Sequence, residues 1–87
     1  MLLVNTTDVG RPYQVISLVD GIGQANSPAE AKDMAVANMV QNAESMRADA
    51  VVNVRYSFAS NMRGNILGAV LWEYNKIIAS GTAVKFI

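Results

Sequence analysis

The chain has 87 residues, of which 52% are apolar and only 16% are charged, with seven Lys and Arg residues balancing seven Asp and Glu residues. This length corresponds to one domain, and a typical soluble domain is about a quarter charged. The absence of Cys and His excludes disulfides, Cys nucleophiles, His-based triads and the usual zinc sites. The shortage of charge predicts either that part of the surface is buried against copies of the chain or a partner, or that the protein is poorly soluble.

Charge and hydropathy also bear on partners and location. The basic residues are scattered, whereas nucleic-acid-binding proteins usually carry a basic stripe, so no nucleic-acid partner is expected. The longest apolar run, Ile66 to Trp72, is far shorter than the roughly 20 residues of a membrane-spanning helix. We also expect no signal peptide and therefore a cytoplasmic protein with no membrane partner.

Two strands are predicted at the start of the chain. Leu2-Leu3-Val4 is a short first strand, and the Gly and Pro in Asp8 to Pro12 indicate a turn. The second strand, Tyr13 to Ile22, has apolar residues at both parities, which is typical of a strand covered on both faces. Gly21 and Gly23 are expected to end this strand, with a bulge.

A helix is predicted from Pro28 to about Arg47. Ser27-Pro28-Ala29-Glu30 is a capping box with Pro at the first helical position. One face carries apolar residues at helical spacing: Ala35, Val36, Met39, Val40, Ala43 and Met46. Because these side chains are mostly small or flexible, we expect the helix to approach a sheet closely.

Two more strands follow the helix. The third begins at Ala50, and its uniformly apolar face from Val52 to Phe58 is expected to meet the helix. Ser60 to Gly68 is predicted to be a turn-rich connection, and the last strand runs from about Ala69 to Phe86. A bulge or bend is expected at Gly81. Small residues on one face of this strand leave room for the helix: Ala79, Gly81 and Ala83.

The element order predicts an α+β fold, a two-layer ββαββ subunit with one helix packed on an antiparallel or mixed sheet. One helix covers only one face of about four strands. The other face is expected to remain partly apolar and to need a neighbouring subunit: Val51, Leu71 or Trp72, and Ile77 or Ile78.

Three segments carry a family resemblance, and together they span nearly the whole chain. They are Val4-Asn5-Thr6-Thr7, Arg47-Ala48-Asp49-Ala50-Val51-Val52-Asn53-Val54-Arg55-Tyr56 and Ala79-Ser80-Gly81-Thr82-Ala83-Val84. On these segments the chain resembles the YbjQ-like family, small domains often labelled heavy-metal-binding. The resemblance implies a single domain over residues 1–87, dodecin-like architecture and a ring assembly, typically a pentamer. Many members carry a Gly- and Arg-rich insertion before the helix, where this sequence has only residues 24–27.

The candidate binding residues lie on the third and fourth strands: Asn53, Arg55, Glu73 and Asn75. They can form a polar pocket or anion site at a subunit boundary. They can equally form a hydrogen-bonded interface, since the planar fork of Arg55 pairs well with a carboxylate such as Glu73, or be simply solvated. The carboxylates show no metal-loop spacing, so no metal site is expected, although one carboxylate per subunit can converge on a ring axis.

The sequence contains no catalytic signature. We therefore expect a non-enzymatic homo-oligomer without a cofactor, which binds a small ligand or ion at its subunit boundaries or serves as a scaffold. The alternative is a small enzyme or cofactor carrier with a site between subunits, for which Arg55, Glu73 and Tyr74 offer the chemistry. A third possibility is the soft-metal binding that the family label suggests.

Overall fold

The computed structural model describes residues 1–66 and 69–87, with the backbone alone for residues 59–66 and 69–74. Its elements in chain order are β1 (Leu2–Leu3), β2 (Tyr13–Ala25), α1 (Pro28–Ser45), β3 (Ala50–Ile66) and β4 (Ala69–Phe86). The strands form a mixed sheet in the order β1-β3-β4-β2, with β1 parallel to β3 and the other pairs antiparallel. Because α1 packs on one face of this sheet, the predicted α+β, ββαββ fold is confirmed.

Local signals at both ends of α1 explain its limits. The Ser27 hydroxyl accepts a hydrogen bond from the Glu30 N–H at 3.2 Å, and Pro28 occupies the first turn, as predicted. At the other end, the Arg47 N–H donates to the carbonyl of Glu44 and the Ala48 N–H donates to that of Ala43. These two bonds form a Schellman motif with Arg47 at φ 61°, so the helix ends without the usual glycine.

Two glycines of β2 let α1 approach the sheet closely. The prediction that they end β2 is wrong, because the strand continues to Ala25. A Cβ atom on Gly21 would collide with the backbone of Ala35 and Met39, and one on Gly23 would collide with the backbone of Ala31. These positions are glycine because the helix backbone occupies the space where a side chain would be.

A β-bulge in β3 changes which residues face α1. Val52 lies opposite Thr82 but Arg55 lies opposite Ser80, so Asn53 and Val54 together oppose Gly81. Asn53 adopts a positive φ of 54° at this bulge. The irregularity expected at Gly81 of β4 therefore lies in β3, at the residues opposite Gly81.

The bulge corrects two predictions about the sheet faces. Val51 and Val54 belong to the core cluster beneath α1, whereas Val52 packs with Ala50 and Val84 in a second cluster. The prediction that Val52 meets the helix is therefore wrong, as is the expectation that Val51 lies on the uncovered face. Strict alternation fails here because the extra residue shifts the strand by one side chain.

The second half of β3 is a strand and not a connection. Ser60 to Ile66 pair with β4, which contradicts the predicted turn-rich segment, while β4 has the predicted bounds. β2 ends opposite Asn75, so residues 62–66 and 69–74 form a two-stranded ribbon beyond the end of β2. With this ribbon the molecule measures 59 × 22 × 16 Å.

The sheet face away from α1 carries exposed apolar side chains. Val15 is 59% exposed, Leu18 79% and Ile22 49%, and Ile78 lies opposite Ile22. We call these four residues the uncovered face. Of the residues predicted there, Ile78 is found on it, Ile77 belongs to the cluster beneath α1, and the side chains of Leu71 and Trp72 fall outside the described residues.

Within residues 1–66 and 69–87, no helix is long and apolar enough to cross a membrane.

Candidate functional site: a polar pocket at the end of α1

A pocket of about 460 Å³ opens where the C-terminal end of α1 meets the sheet. We call it the polar pocket. Its volume lies within the range of about 300–1,000 Å³ that is typical of small-ligand sites. It is lined by residues of β2, α1, β3 and β4: Leu18, Val19, Asp20, Asn42, Ser45, Met46, Asn53, Arg55, Ser80, Gly81 and Thr82.

The strand register places two opposite charges in one row of the sheet. Asp20 of β2 lies opposite Ser80 of β4, and Arg55 of β3 lies opposite the same serine. Since neighbouring strands are about 4.8 Å apart, the Cα atoms of Asp20 and Arg55 are separated by roughly 10 Å. Directly opposed residues project to the same face, so the carboxylate, the hydroxyl and the guanidinium form one polar row. Asp20 alternates with Val19 and Gly21, which face α1, so this row lies on the uncovered face.

The bulge residue Asn53 holds the guanidinium of Arg55. The Asn53 Oδ1 atom accepts hydrogen bonds from Arg55 Nε at 3.3 Å and from Arg55 Nη2 at 3.2 Å. The Asn53 N–H in turn donates to the carbonyl of Thr6 at 2.8 Å, which anchors the bulge to the N-terminal segment. The structure thus brings together two of the four predicted site residues, Asn53 and Arg55.

Asparagines of α1 bind the outer edge of β2 beside the pocket. Asn42 Nδ2 donates to the carbonyl of Asp20 at 2.8 Å, and Asn38 Oδ1 accepts from the N–H of Ile22 at 3.0 Å. These bonds satisfy edge groups that would otherwise be available to another strand. Sequence reasoning missed this role, although two Asn residues four apart beside an apolar stripe were a usable signal.

The other two predicted residues lie elsewhere in the chain. Asn75 is only 1% exposed, and its Nδ2 atom donates to the carbonyl of Asn26 at 3.3 Å, so it ties β4 to the segment before α1. Glu73 lies opposite Arg63 on the ribbon, and its side chain is outside the described residues. Residues 73 and 80 of β4 are about 23 Å apart, so Glu73 and Arg55 do not face each other within one chain. Their contact across a subunit boundary stays a prediction.

A second pocket, of about 430 Å³, lies between the N-terminal segment and β3. Leu3, Val4 and Asn5 form one wall, while Val54 and Tyr56 form the other. The Tyr56 ring is 47% exposed and lies 4.5 Å from Lys32 Nζ of α1. This pocket contains no charged side chain, so its chemistry is less specific than that of the polar pocket.

One helix packed on a mixed four-stranded sheet defines a small α+β domain. The sequence matches the model of the YbjQ family, described as "Putative heavy-metal-binding", over residues 2–87. The chain belongs to this family, as the sequence resemblance implied.

Curated relatives support this membership. The chain is 38% identical to a UPF0145 protein of Clostridium novyi, over 97% of this chain and 77% of that protein. It is 34% identical to a UPF0145 protein of Vibrio parahaemolyticus, over 98% of this chain and 76% of that one. A match to a Clostridium tetani UPF0145 protein, 43% identical, covers 64% of this chain and 45% of that protein, so the chain spans less than half of that relative's length.

The fold recurs in a solved structure. A crystal structure of a protein of unknown function from Pediococcus pentosaceus, assigned to the DUF74 family, superposes with a TM-score of 0.74 over 100% of this chain and 98% of that one. The two sequences are 13% identical, so the likeness concerns the fold alone.

The family description raises the question of whether a heavy-metal ion fits this chain. Soft metal ions prefer thiolate and imidazole ligands, and the sequence has neither Cys nor His. In the described part of the chain no three acidic side chains are grouped as metal ligands. Two carboxylates already accept backbone N–H groups at 2.8 Å, Asp8 from Gly10 and Asp49 from Phe86. The donor set therefore does not fit a heavy-metal ion.

Proposed function

We propose that this YbjQ-family chain is a non-enzymatic homo-oligomeric domain, a ring of five subunits that binds a small ligand at the subunit boundaries. The observation that carries the proposal is the uncovered face, where Val15, Leu18 and Ile22 are about half exposed or more. Burial of such side chains contributes about 25 cal/mol per Å² of apolar surface. The ring and its subunit number come from the family resemblance.

The ribbon supports association through a second surface. An isolated two-stranded hairpin is at best marginally stable in water, and the ribbon has no third strand among the described pairings. The sequence from Ile66 to Trp72, which includes the first four residues of the ribbon's second strand, contains no charged residue. A ribbon of this kind is stabilised when a neighbouring molecule covers it.

A second copy of this chain is the occupant that these features favour. The formal net charge is zero, which gives no electrostatic preference for an acidic or a basic partner. Ring closure requires two different surfaces on each subunit, and the uncovered face and the ribbon are two such surfaces. Each copy therefore carries both halves of a repeating contact.

Light scattering after gel filtration tests the assembly. We expect the unmodified protein to have about five times the chain mass of 9.3 kDa. The Ile22→Lys variant places a charge on the uncovered face and should shift the mass toward that of one chain. Met34→Lys is the matched control, because Met34 is 50% exposed but lies on α1, and it should keep the mass unchanged.

Circular dichroism shows whether each variant remains folded. A folded Ile22→Lys variant with a lower mass supports the proposed interface. A wild-type protein that elutes as a 9.3 kDa monomer at micromolar concentration contradicts the proposal.

A further inference from the structure

We infer that the polar row on the uncovered face binds the ribbon of a neighbouring copy of this chain. Arg55 of one copy pairs with Glu73 of the next, and Asp20 pairs with its Arg63. The inference rests on the proposed function and deepens it, because it names the charged residues that orient one subunit on another.

The two charges of the row have no counter-charge in their own chain. Asp20 and Arg55 are both exposed. The backbone carbonyl of Asp20 accepts a hydrogen bond from Asn42, but among the described side chains none pairs with its carboxylate. The Asn53 Oδ1 atom holds the guanidinium of Arg55 through Nε and Nη2, which orients the positive charge without neutralising it. Both charges are therefore available to a second molecule.

Burial of the uncovered face makes counter-charges necessary. The row lies between Leu18 on one side and the opposed pair of Ile22 and Ile78 on the other. A subunit that covers these apolar side chains also removes the charged row from water. A buried charge without a partner is strongly unfavourable, so the covering surface must supply one positive and one negative group.

The acidic residues of the chain favour Glu73 as the partner of Arg55. Of the seven acidic residues, three lie on α1, which covers the other face of the sheet, and two accept backbone N–H groups: Glu30, Asp33 and Glu44, then Asp8 and Asp49. Asp20 belongs to the row itself, which leaves Glu73. Residues 73 and 80 of β4 are about 23 Å apart, so a contact between Glu73 and Arg55 joins two chains.

The ribbon carries the complementary pair of charges at one register position. Arg63 of β3 lies directly opposite Glu73 of β4. When the ribbon covers the row, one orientation brings opposite charges together at both positions, and the reversed orientation brings like charges together. Juxtaposed like charges suppress a wrong arrangement. The two pairs therefore fix the direction in which one subunit lies on the next.

A contact between two copies of the polar row fits the ring less well. Such a contact uses the same surface on both subunits, which closes a two-fold dimer. The row and the ribbon are two different surfaces, and a contact between them can repeat around a ring.

Charge reversal tests the pairing, with light scattering after gel filtration as the measurement. Arg55→Glu and Glu73→Arg each place like charges at the contact, so each should weaken association at least tenfold and lower the mass toward 9.3 kDa. The variant with both changes restores opposite charges and should recover the wild-type mass. Glu44→Arg is the matched control, because it reverses an exposed carboxylate on α1, and it should leave the mass unchanged.

Cross-linking provides a second measurement that does not depend on disrupting the contact. Arg55→Lys keeps the positive charge and introduces an amine, which a zero-length carbodiimide joins to a carboxylate in direct contact. Peptide mass spectrometry should then find position 55 linked to Glu73. Arg11→Lys is the control, because Arg11 lies over the Phe86 ring, and it should give no link to Glu73.

The outcomes separate this inference from the proposed assembly. A wild-type oligomer that both single reversals leave unchanged, or that the combined variant does not restore, overturns the inference and leaves the assembly intact. If circular dichroism shows that a reversed variant is unfolded, the cross-link decides, and an Arg55→Lys oligomer without a link to Glu73 overturns the inference. A wild-type monomer overturns the assembly and the inference with it.

Discussion

At the residue scale, two non-glycine residues of the described chain have positive φ angles, Arg47 at 61° and Asn53 at 54°. Asparagine tolerates this conformation well, and Asn53 uses it to form the bulge that holds Arg55. Arginine has no such tolerance, because its Cβ atom crowds the following carbonyl at a cost of roughly 1 kcal/mol. Lys85 Nζ donates to the carbonyl of Arg47 at 3.4 Å, a weak contact that does not require the arginine side chain.

The strain at Arg47 gives a stability prediction. Arg47→Gly should raise the free energy of unfolding by about 0.5–1 kcal/mol, since glycine adopts the left-handed conformation without a Cβ clash. Urea unfolding followed by circular dichroism measures the difference. Arg47→Ala removes the same side chain but keeps the clash, so it should give no such gain. An equal gain from both variants would show that the arginine side chain, and not its φ angle, is responsible.

At the element scale, the close packing of α1 on β2 depends on small residues on both surfaces. Ala31, Ala35 and Ala43 are fully buried, and glycines occupy the facing positions of β2. The N-cap at Ser27 was predictable because its hydrogen bond with Glu30 joins residues only three apart. The continuation of β2 through Gly21 was not predictable from the sequence. The strand carries glycine there because the backbone of α1, which is distant in the sequence, occupies the space of a side chain.

Enlarging one of these glycines should separate the two layers. Gly23→Ala is expected to lower the free energy of unfolding by about 1–3 kcal/mol, because the new Cβ atom would collide with the backbone of Ala31 and Ala35. Thermal unfolding measures this loss. Gln24→Ala changes the exposed neighbour on the same strand and should alter stability by no more than about 0.5 kcal/mol. Comparable losses in both variants would exclude close helix packing as the cause.

At the scale of the whole molecule, the fold leaves apolar surface that one helix cannot cover. α1 lies mainly against β2 and beside β4, while the opposite face of the sheet exposes Leu18 and its neighbours. The shortage of charged residues therefore corresponds to a definite part of the surface. The lack of suitable metal ligands is likewise a property of the whole chain, since it follows from the composition.

The absence of Cys and His predicts how the protein responds to heavy metals. Zinc or cadmium salts should leave the midpoint of thermal unfolding unchanged, because a ligand stabilises a protein only when it binds the folded state. Elemental analysis of the purified protein should find less than one such ion per oligomer. A stoichiometric ion that raises the midpoint would show that carboxylates of several subunits form a shared site.

The sequence by itself determined the class of fold, the start of α1, the bounds of β4 and the family. These depend on local signals, namely capping residues, hydrophobic periodicity and short motifs. Only the tertiary structure decided which residues face α1 and which share the polar pocket. The Asn53 bulge reverses the alternation of β3, and the row of Asp20, Ser80 and Arg55 joins three strands through their register. Register depends on pairing between distant segments, and no single stretch of the chain encodes it.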